Sequence, residues 1–478
     1  MCLVLLLAMF ASAVQAQPRA DGSSAEAAYR QGLAAEKEND LNAARSAYES
    51  AVRLDPAMAV AHDRLGFVLG RLGRTAEALA AFERAVELKP DLFDAQYHLG
   101  ATRWWTKDLD GALAALEAAV RLRPAHAEAR YYLGLTLKQK GRLGEAIEQL
   151  RAAVRAGPEL AVVHLQLGVA LQDAGDLDGA IESLKSALRL DPSSVDAQNS
   201  LGLALMQNGV ADEAISTFRA LVAREPAYVT ARVNLGTALM QRGDLAGAVA
   251  VLREATRLQP ANVEARYNLG LALKQQDDFA AAETELRRAT ELDGSLPEAH
   301  YTLGVVLWQT GRSEDAASAF RAAIARSADY ADAHYMLGTI LRQQGATSAA
   351  LAEFRATITY RPTYAEAHHS LGQLLAQMGQ TEAAAAALAE GERLNARKAD
   401  AEASTFAVAV GVEKVKANDM KGAIERFREA VRLAPENARA HYQLALALQR
   451  TGAQAEAQAH FTEAQRLSPS LTSPVVKR

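Results

Sequence analysis

The chain carries one cysteine in 478 residues, and it is the second residue, Cys2. A single thiol forms no internal disulfide. If the leading segment is removed on export, thiolate metal sites and cysteine nucleophiles go with it. A surplus of basic charge is missing too: 52 Lys and Arg stand against 57 Asp and Glu, for a formal net charge of −5. Such a chain cannot neutralise a run of phosphates, which sets nucleic acid aside as the main ligand. Aromatic residues make up only 6% of the sequence, so those that recur at a fixed place carry information. There is no Gly-rich phosphate loop followed by Lys-Ser/Thr, no His-Glu-x-x-His, no Gly-x-Ser-x-Gly and no dinucleotide fingerprint. No Asn-x-Ser/Thr acceptor occurs, which favours a bacterial envelope over a eukaryotic secretory lumen. On these grounds no enzyme activity, cofactor or metal is expected.

The long apolar run is confined to the start. Met1 to Ala16 is uncharged, apolar from Leu3 to Phe10, and ends with the small residues Val14 and Ala16 at a signal-peptidase spacing. It reads as an export signal over 1–16, cut before Gln17 and followed by a polar linker over 17–24. The usual leading positive charge is absent, so retention as an anchor is the other reading and the only membrane association expected. Cys2 precedes the apolar run, which argues against lipid attachment. The expected location is the bacterial periplasm or cell envelope, or outside the cell.

At roughly 150 residues per domain the length suggests about three domains, but a repeat replaces that division. Leu-Gly pairs recur every 34 residues from Leu65-Gly66 to Leu371-Gly372. Extending the frame gives Gln31-Gly32 before them and, after five extra residues, Val410-Gly411 and Leu444-Ala445, for 13 repeats in all. With each repeat counted from seven residues before its glycine, residue 20 is Ala in all 13, residue 24 is large and apolar, and residue 32 is Pro in ten. Apolar residues around 7 and 11, then 20, 24 and 27, recur at helical spacing and predict two amphipathic helices per repeat. Gly at residue 15 in nine repeats suits the left-handed turn between them, with Asn39 and Asn418 the next best choice. Proline at 32 ends the second helix.

These residues resemble the tetratricopeptide repeat family, over more than nine tenths of the chain. The resemblance implies an all-α fold, a right-handed α-solenoid superhelix of about 13 helix-turn-helix repeats, with the first helix of each lining a concave groove. Repeats 1–11 occupy 25–403 with a lengthened last helix, since Thr381 to Ser404 is Ala-rich and lacks proline. Repeats 12 and 13 occupy 404–471, and 472–478 is a tail. Gln31 and Ala35 in repeat 1 weaken an interface with no preceding neighbour, as a capping repeat would.

Six of the ten histidines fall at residue 4: His62, His164, His300, His334, His368 and His441. Equivalent points on stacked helix pairs lie about 10 Å apart, whereas metal–imidazole bonds need about 2 Å, so no one metal collects them; they read as packing residues. Carboxylates recurring at residues 2 and 22 read as solvated helix faces. The resemblance places residues 5 and 13 in the groove. Tyrosine recurs at 5, including Tyr97, Tyr131, Tyr267, Tyr301 and Tyr335, and glutamine at 13, including Gln241, Gln275, Gln309 and Gln343. Tyrosine offers flat apolar area at low entropic cost, and glutamine can pair with an extended peptide backbone. Repeat 3 departs from its neighbours, with Arg103 where most repeats have Leu, then Trp104 and Trp105. Tyr97, Ala101 and Trp104 share a helical face, and Tyr301, Val305 and Trp308 repeat the arrangement.

The expected function is therefore an exported scaffold or adaptor binding a partner protein or extended peptide. A glycan-binding envelope protein using the groove aromatics is the alternative, and an accessory subunit of a glycosyltransferase or secretion machine a more remote one. The Lys/Asn/Arg clamp for terminal carboxylates is missing, with Phe67, Leu135, Leu203 and Leu271 where Asn belongs, and the asparagine ladder of glycosyltransferase-linked arrays is reduced to Asn234 and Asn268.

Overall fold

A computed structural model describes residues 24–468 and 471. The expected export segment, the linker up to 23 and the tail lie outside the described residues; Ser24, the last linker residue, already opens the first helix. The described residues form 25 α-helices and no strand, an all-α solenoid of helical repeats. They fall into two compact units, one ending at Ala238 and one beginning at Leu239. No described helix is long and apolar enough to cross a membrane.

In most repeats the first helix covers residues 1–13 and the second 17–30, as in Ala59–Arg71 and Thr75–Leu88 of repeat 2. The turn between them carries one left-handed residue, always residue 15. Nine are glycines, and Asn39, Lys107, Asp277 and Asn418 adopt the same positive φ of 58–67°. Asp at residue 16 caps the second helix where it occurs; Asp108, for example, accepts from the Gly111 amide at 3.0 Å.

The glycine at residue 8 is a packing requirement. Residue 24 of the second helix lies directly on it, so that a Cβ on Gly66 would stand 2.7 Å from the Phe82 ring and one on Gly304 2.6 Å from Phe320. Residue 24 is thereby buried in every repeat but the eleventh, where Leu388 is half-buried; Tyr48, Phe218 and Phe354 are fully buried. Removing each such ring from water contributes on the order of 2 kcal/mol. From repeat to repeat, first helices also touch one another directly: those of repeats 2 to 6 in the first unit, and those of 8 and 9 and of 12 and 13 in the second. They form the inner row within each unit.

One junction breaks the pattern. The expected lengthening of the second helix of repeat 11 goes further, because Thr381–Lys416 is a single 36-residue helix that runs through the expected boundary at 403/404 and includes the first helix of repeat 12. Continuity replaces stacking there. Residue 3, which faces the preceding repeat, is a buried Ala or Val in repeats 2–11 and 13, whereas Phe406 in repeat 12 is 72% exposed. Residue 28, which faces the following repeat, is an apolar or Thr side chain half-buried in repeats 1–10 and 12, but the exposed Glu392 in repeat 11 and Gln465 in repeat 13. Repeat 11 therefore ends as the terminal repeat does, with a polar face.

Candidate functional site

Residue 4 has a structural task that the sequence reading understates. The Nε2 atoms of His62, His164, His300, His334, His368 and His441 each lie 2.9–3.1 Å from the carbonyl of the residue six positions earlier, in the inter-repeat turn. Gln96, Arg130 and Arg266 donate to the same carbonyl in their own repeats. Residue 4 thus satisfies a carbonyl that the turn leaves without a helical partner. Among the described residues no three His, Cys, Asp or Glu side chains form a metal-holding group.

In the first unit the expected groove aromatics converge in repeats 3 and 4. Trp104 packs edge-on to Trp105 with centroids 5.1 Å apart, and to Tyr132 at 5.6 Å. Tyr97 reaches Trp104 through Tyr132, at 6.2 Å, and also meets Phe93 and His126. Burial, the larger effect, pushes the Tyr132 pKa up against the lowering influence of the neighbouring Trp105 N–H. Both indoles are half-buried, and the Trp104 Nε1–H is buried without an acceptor. Tyr131 is itself buried, so its ring packs more than it presents. Tyr132 and Phe93, at residues 6 and 1, were not singled out because those places vary between repeats. Below this cluster, His98 donates to the buried Asp63 at 2.8 Å, between the rings of Phe67 and Phe82. In the same unit Asn234 donates to Asn199 at 2.9 Å.

In the second unit the tyrosines form pairs. Tyr301 faces Tyr330 with centroids 5.1 Å apart, and Tyr335 stacks on Tyr364 at 4.9 Å and 28°. Tyr330 and Tyr364 are residue 34 of consecutive repeats, a signal present in the sequence but not used. Burial pushes the hydroxyls of Tyr301, Tyr330 and Tyr364 upward. The electrostatic neighbours of Tyr330 include Tyr301, Glu298, Tyr267 and Asp332, and those of Tyr364 include Asp332, Tyr301, Tyr335 and Glu366. Tyr267 is half-buried. Trp308 is half-buried one face-length along from Tyr301 and makes no ring contact among the described residues. Gln241, Gln275, Gln309 and Gln343 are all exposed at or near the ends of their helices.

Family models described as tetratricopeptide repeat match residues 106–161, 165–229 and 301–365, 59–92, and 25–58, 263–295, 365–397 and 438–471. A further one, described as TPR repeat, matches 236–277 and 411–452. Two stretches they leave unmatched are 93–105, the helix with Trp104 and Trp105, and 398–410, inside the long helix. Among curated proteins none matches the chain. Among solved structures, MamA from Desulfovibrio magneticus RS-1 is 27% identical over 36% of this chain and 98% of its own, with a TM-score of 0.34. YrrB, described as a TPR protein with an unusual peptide-binding site, is 26% identical over 39% and 96%, with a TM-score of 0.36. A thermophilic TPR protein from Thermus thermophilus is 24% identical over 38% and 99%, with a TM-score of 0.33.

Proposed function

The chain belongs to the tetratricopeptide repeat family, a scaffold fold for protein interaction, and we propose that it is an exported, non-enzymatic adaptor holding a partner protein or extended peptide along its first helices. The observation that carries this reading is the row of exposed glutamines at residue 13 beside paired, half-buried tyrosines at residues 5 and 34. Glutamine amides can pair with the backbone of an extended chain, and tyrosine supplies contact area with few rotors to freeze. The repeats occupy 25–471 and leave no domain-sized segment of the given sequence for a separate catalytic site. The edge-on packing of Trp104 on Trp105 and on Tyr132 favours this reading over a glycan platform, which needs an open indole face.

The test is capture of partners from an envelope fraction by the full chain and by a Gln275→Ala, Gln309→Ala, Gln343→Ala variant. Loss of a partner from the variant at unchanged helicity is expected, and equal capture of every partner overturns the groove assignment. Export is tested by fusing residues 1–24 to a reporter active only outside the cytoplasm. An inactive fusion removes that part of the proposal.

A further inference from the structure

Residue 2 of repeats 9, 10 and 11 is a carboxylate: Glu298, Asp332 and Glu366. In repeat order they alternate with the tyrosine pairs, as Glu298, Tyr301–Tyr330, Asp332, Tyr335–Tyr364, Glu366, and Tyr330 and Tyr364 each have the carboxylate of their own repeat and that of the next among their electrostatic neighbours. The middle carboxylate is already occupied. Arg361 holds Asp332 through two hydrogen bonds of 2.8 and 2.7 Å, and its guanidinium lies 5.2 Å from the centre of the Tyr364 ring. A carboxylate with a tyrosine face beside it is thus seen holding a guanidinium in this protein, by a bidentate ion pair and a cation–π contact together. Arg361 is residue 31 of repeat 10, where repeat 9 has Ser327 and repeat 11 has Asn395. Glu298 and Glu366 consequently stand exposed with no ion pair among the described residues.

Resting on the peptide-groove reading above, we propose that the inner row of repeats 9–11 takes an extended cationic segment of a partner protein, seating one Lys or Arg on Glu298 beside Tyr301 and Tyr330 and another on Glu366. The three carboxylates are reduced to two open ones by Arg361, so the occupant carries its charges at the ends of the span and a neutral residue between. Helix pairs stack about 10 Å apart, so two repeats span about 20 Å, or roughly six residues of extended chain at about 3.3 Å each. The chain is a poor occupant of its own row, since its net charge is −5. Half-buried tyrosines strengthen the attraction by keeping water from one side of the cation.

The test uses the full chain and three fluorescently labelled Gly/Ser peptides of equal length: one with two arginines six positions apart, one with two glutamates there, one uncharged. Fluorescence anisotropy is expected to show the arginine peptide binding at least about tenfold more tightly at low salt, with the preference shrinking as salt rises. A Glu298→Gln, Glu366→Gln variant keeps both shapes and is expected to lose that preference while its helical signal and thermal midpoint stay unchanged. Arg361→Gln supplies a gain: it reopens Asp332, and a peptide with a third arginine midway is expected to bind the variant more tightly than the parent. Equal binding of the arginine and uncharged peptides, or an arginine preference that survives the double glutamine variant, overturns the cationic assignment and leaves the groove reading standing. Binding of none of the three peptides overturns both.

Discussion

A Cβ added to Gly304 would stand 2.6 Å from the Phe320 ring, yet in repeat 13 Ala445 already carries a Cβ opposite Phe461. The two rings beside that place also lie differently: Phe461 is at 69° to Tyr442, whereas Phe320 is at 49° to Tyr301. Gly304 lies in a repeat with neighbours on both sides and against a fully buried ring, and Gly304→Ala crowds it. The substitution is expected to destabilise the array by about 1–3 kcal/mol, as overpacking does, read as a lower urea midpoint. Ala445→Gly should move that midpoint less than Gly304→Ala does.

Residue 4 is expected to act through its hydrogen bond. His368→Ala leaves the Pro362 carbonyl without the side-chain donor it has at 2.9 Å, a loss of about 1 kcal/mol. His368→Gln should recover most of it, since Gln96 makes the same bond to Pro90 at 2.9 Å. An Ala variant as stable as the parent would remove this role.

His334 is expected to make stability depend on pH. Its Nδ1 lies 2.6 Å from Glu353 and its Nε2 3.0 Å from the Ala328 carbonyl, so both neighbours are acceptors and the protonated ring donates to both. The Glu353 bond raises its pKa against the opposing effect of burial. A histidine raised above its unfolded value of about 6.5 adds stability that is fully present below that pH and is lost as pH climbs through the folded value. The stability gap between the parent and His334→Gln should therefore be widest near about pH 5.5 and narrow toward about pH 8.5. His460, held down by burial and by the adjacent His441, has the opposite sign. Thermal melts of His334→Gln and His460→Gln across pH check the pair.

Lys107 and Asp277 hold the left-handed turn conformation at φ of 67° and 61° without being glycine. Replacing either with Gly should stabilise the protein by roughly 0.5–1 kcal/mol, because a side chain in that conformation costs about 1–2 kcal/mol and glycine loses some of the gain to its freer unfolded state. A lower denaturation midpoint for both variants would contradict this.

The polar end of repeat 11 predicts an asymmetry. Ile358, at residue 28 of repeat 10, is half-buried with repeat 11 following it, while Glu392 at the same place in repeat 11 is exposed. Ile358→Glu is expected to cost about 2 kcal/mol or more, and Glu392→Ile to stay within about 0.5 kcal/mol. A large stabilisation by Glu392→Ile would mean that another repeat packs there.

The sequence by itself determined the repeat, the helix pair within it, and the turn, because each follows from constraints a few residues long. A left-handed turn favours Gly or Asn, a proline ends a helix, and helical spacing of apolar residues needs a face to bury; Asn39 and Asn418 were legible for this reason. The absence of proline between Thr381 and Ser404 showed that a helix lengthens there. Only the tertiary structure decided that it runs on to Lys416 and that stacking stops, because Glu392 and Phe406 become meaningful once it is known which side of each helix a neighbouring repeat would cover. The same holds for the candidate site. The recurring tyrosines were visible as a column, but Tyr330, Tyr364 and Arg361 joined them only when the inter-repeat turn folded residues 31 and 34 back against residues 2 and 5. A repeat register assigns each side chain a place along its own repeat, and which of those places meet depends on how the second helix and the turn after it are laid back against the first.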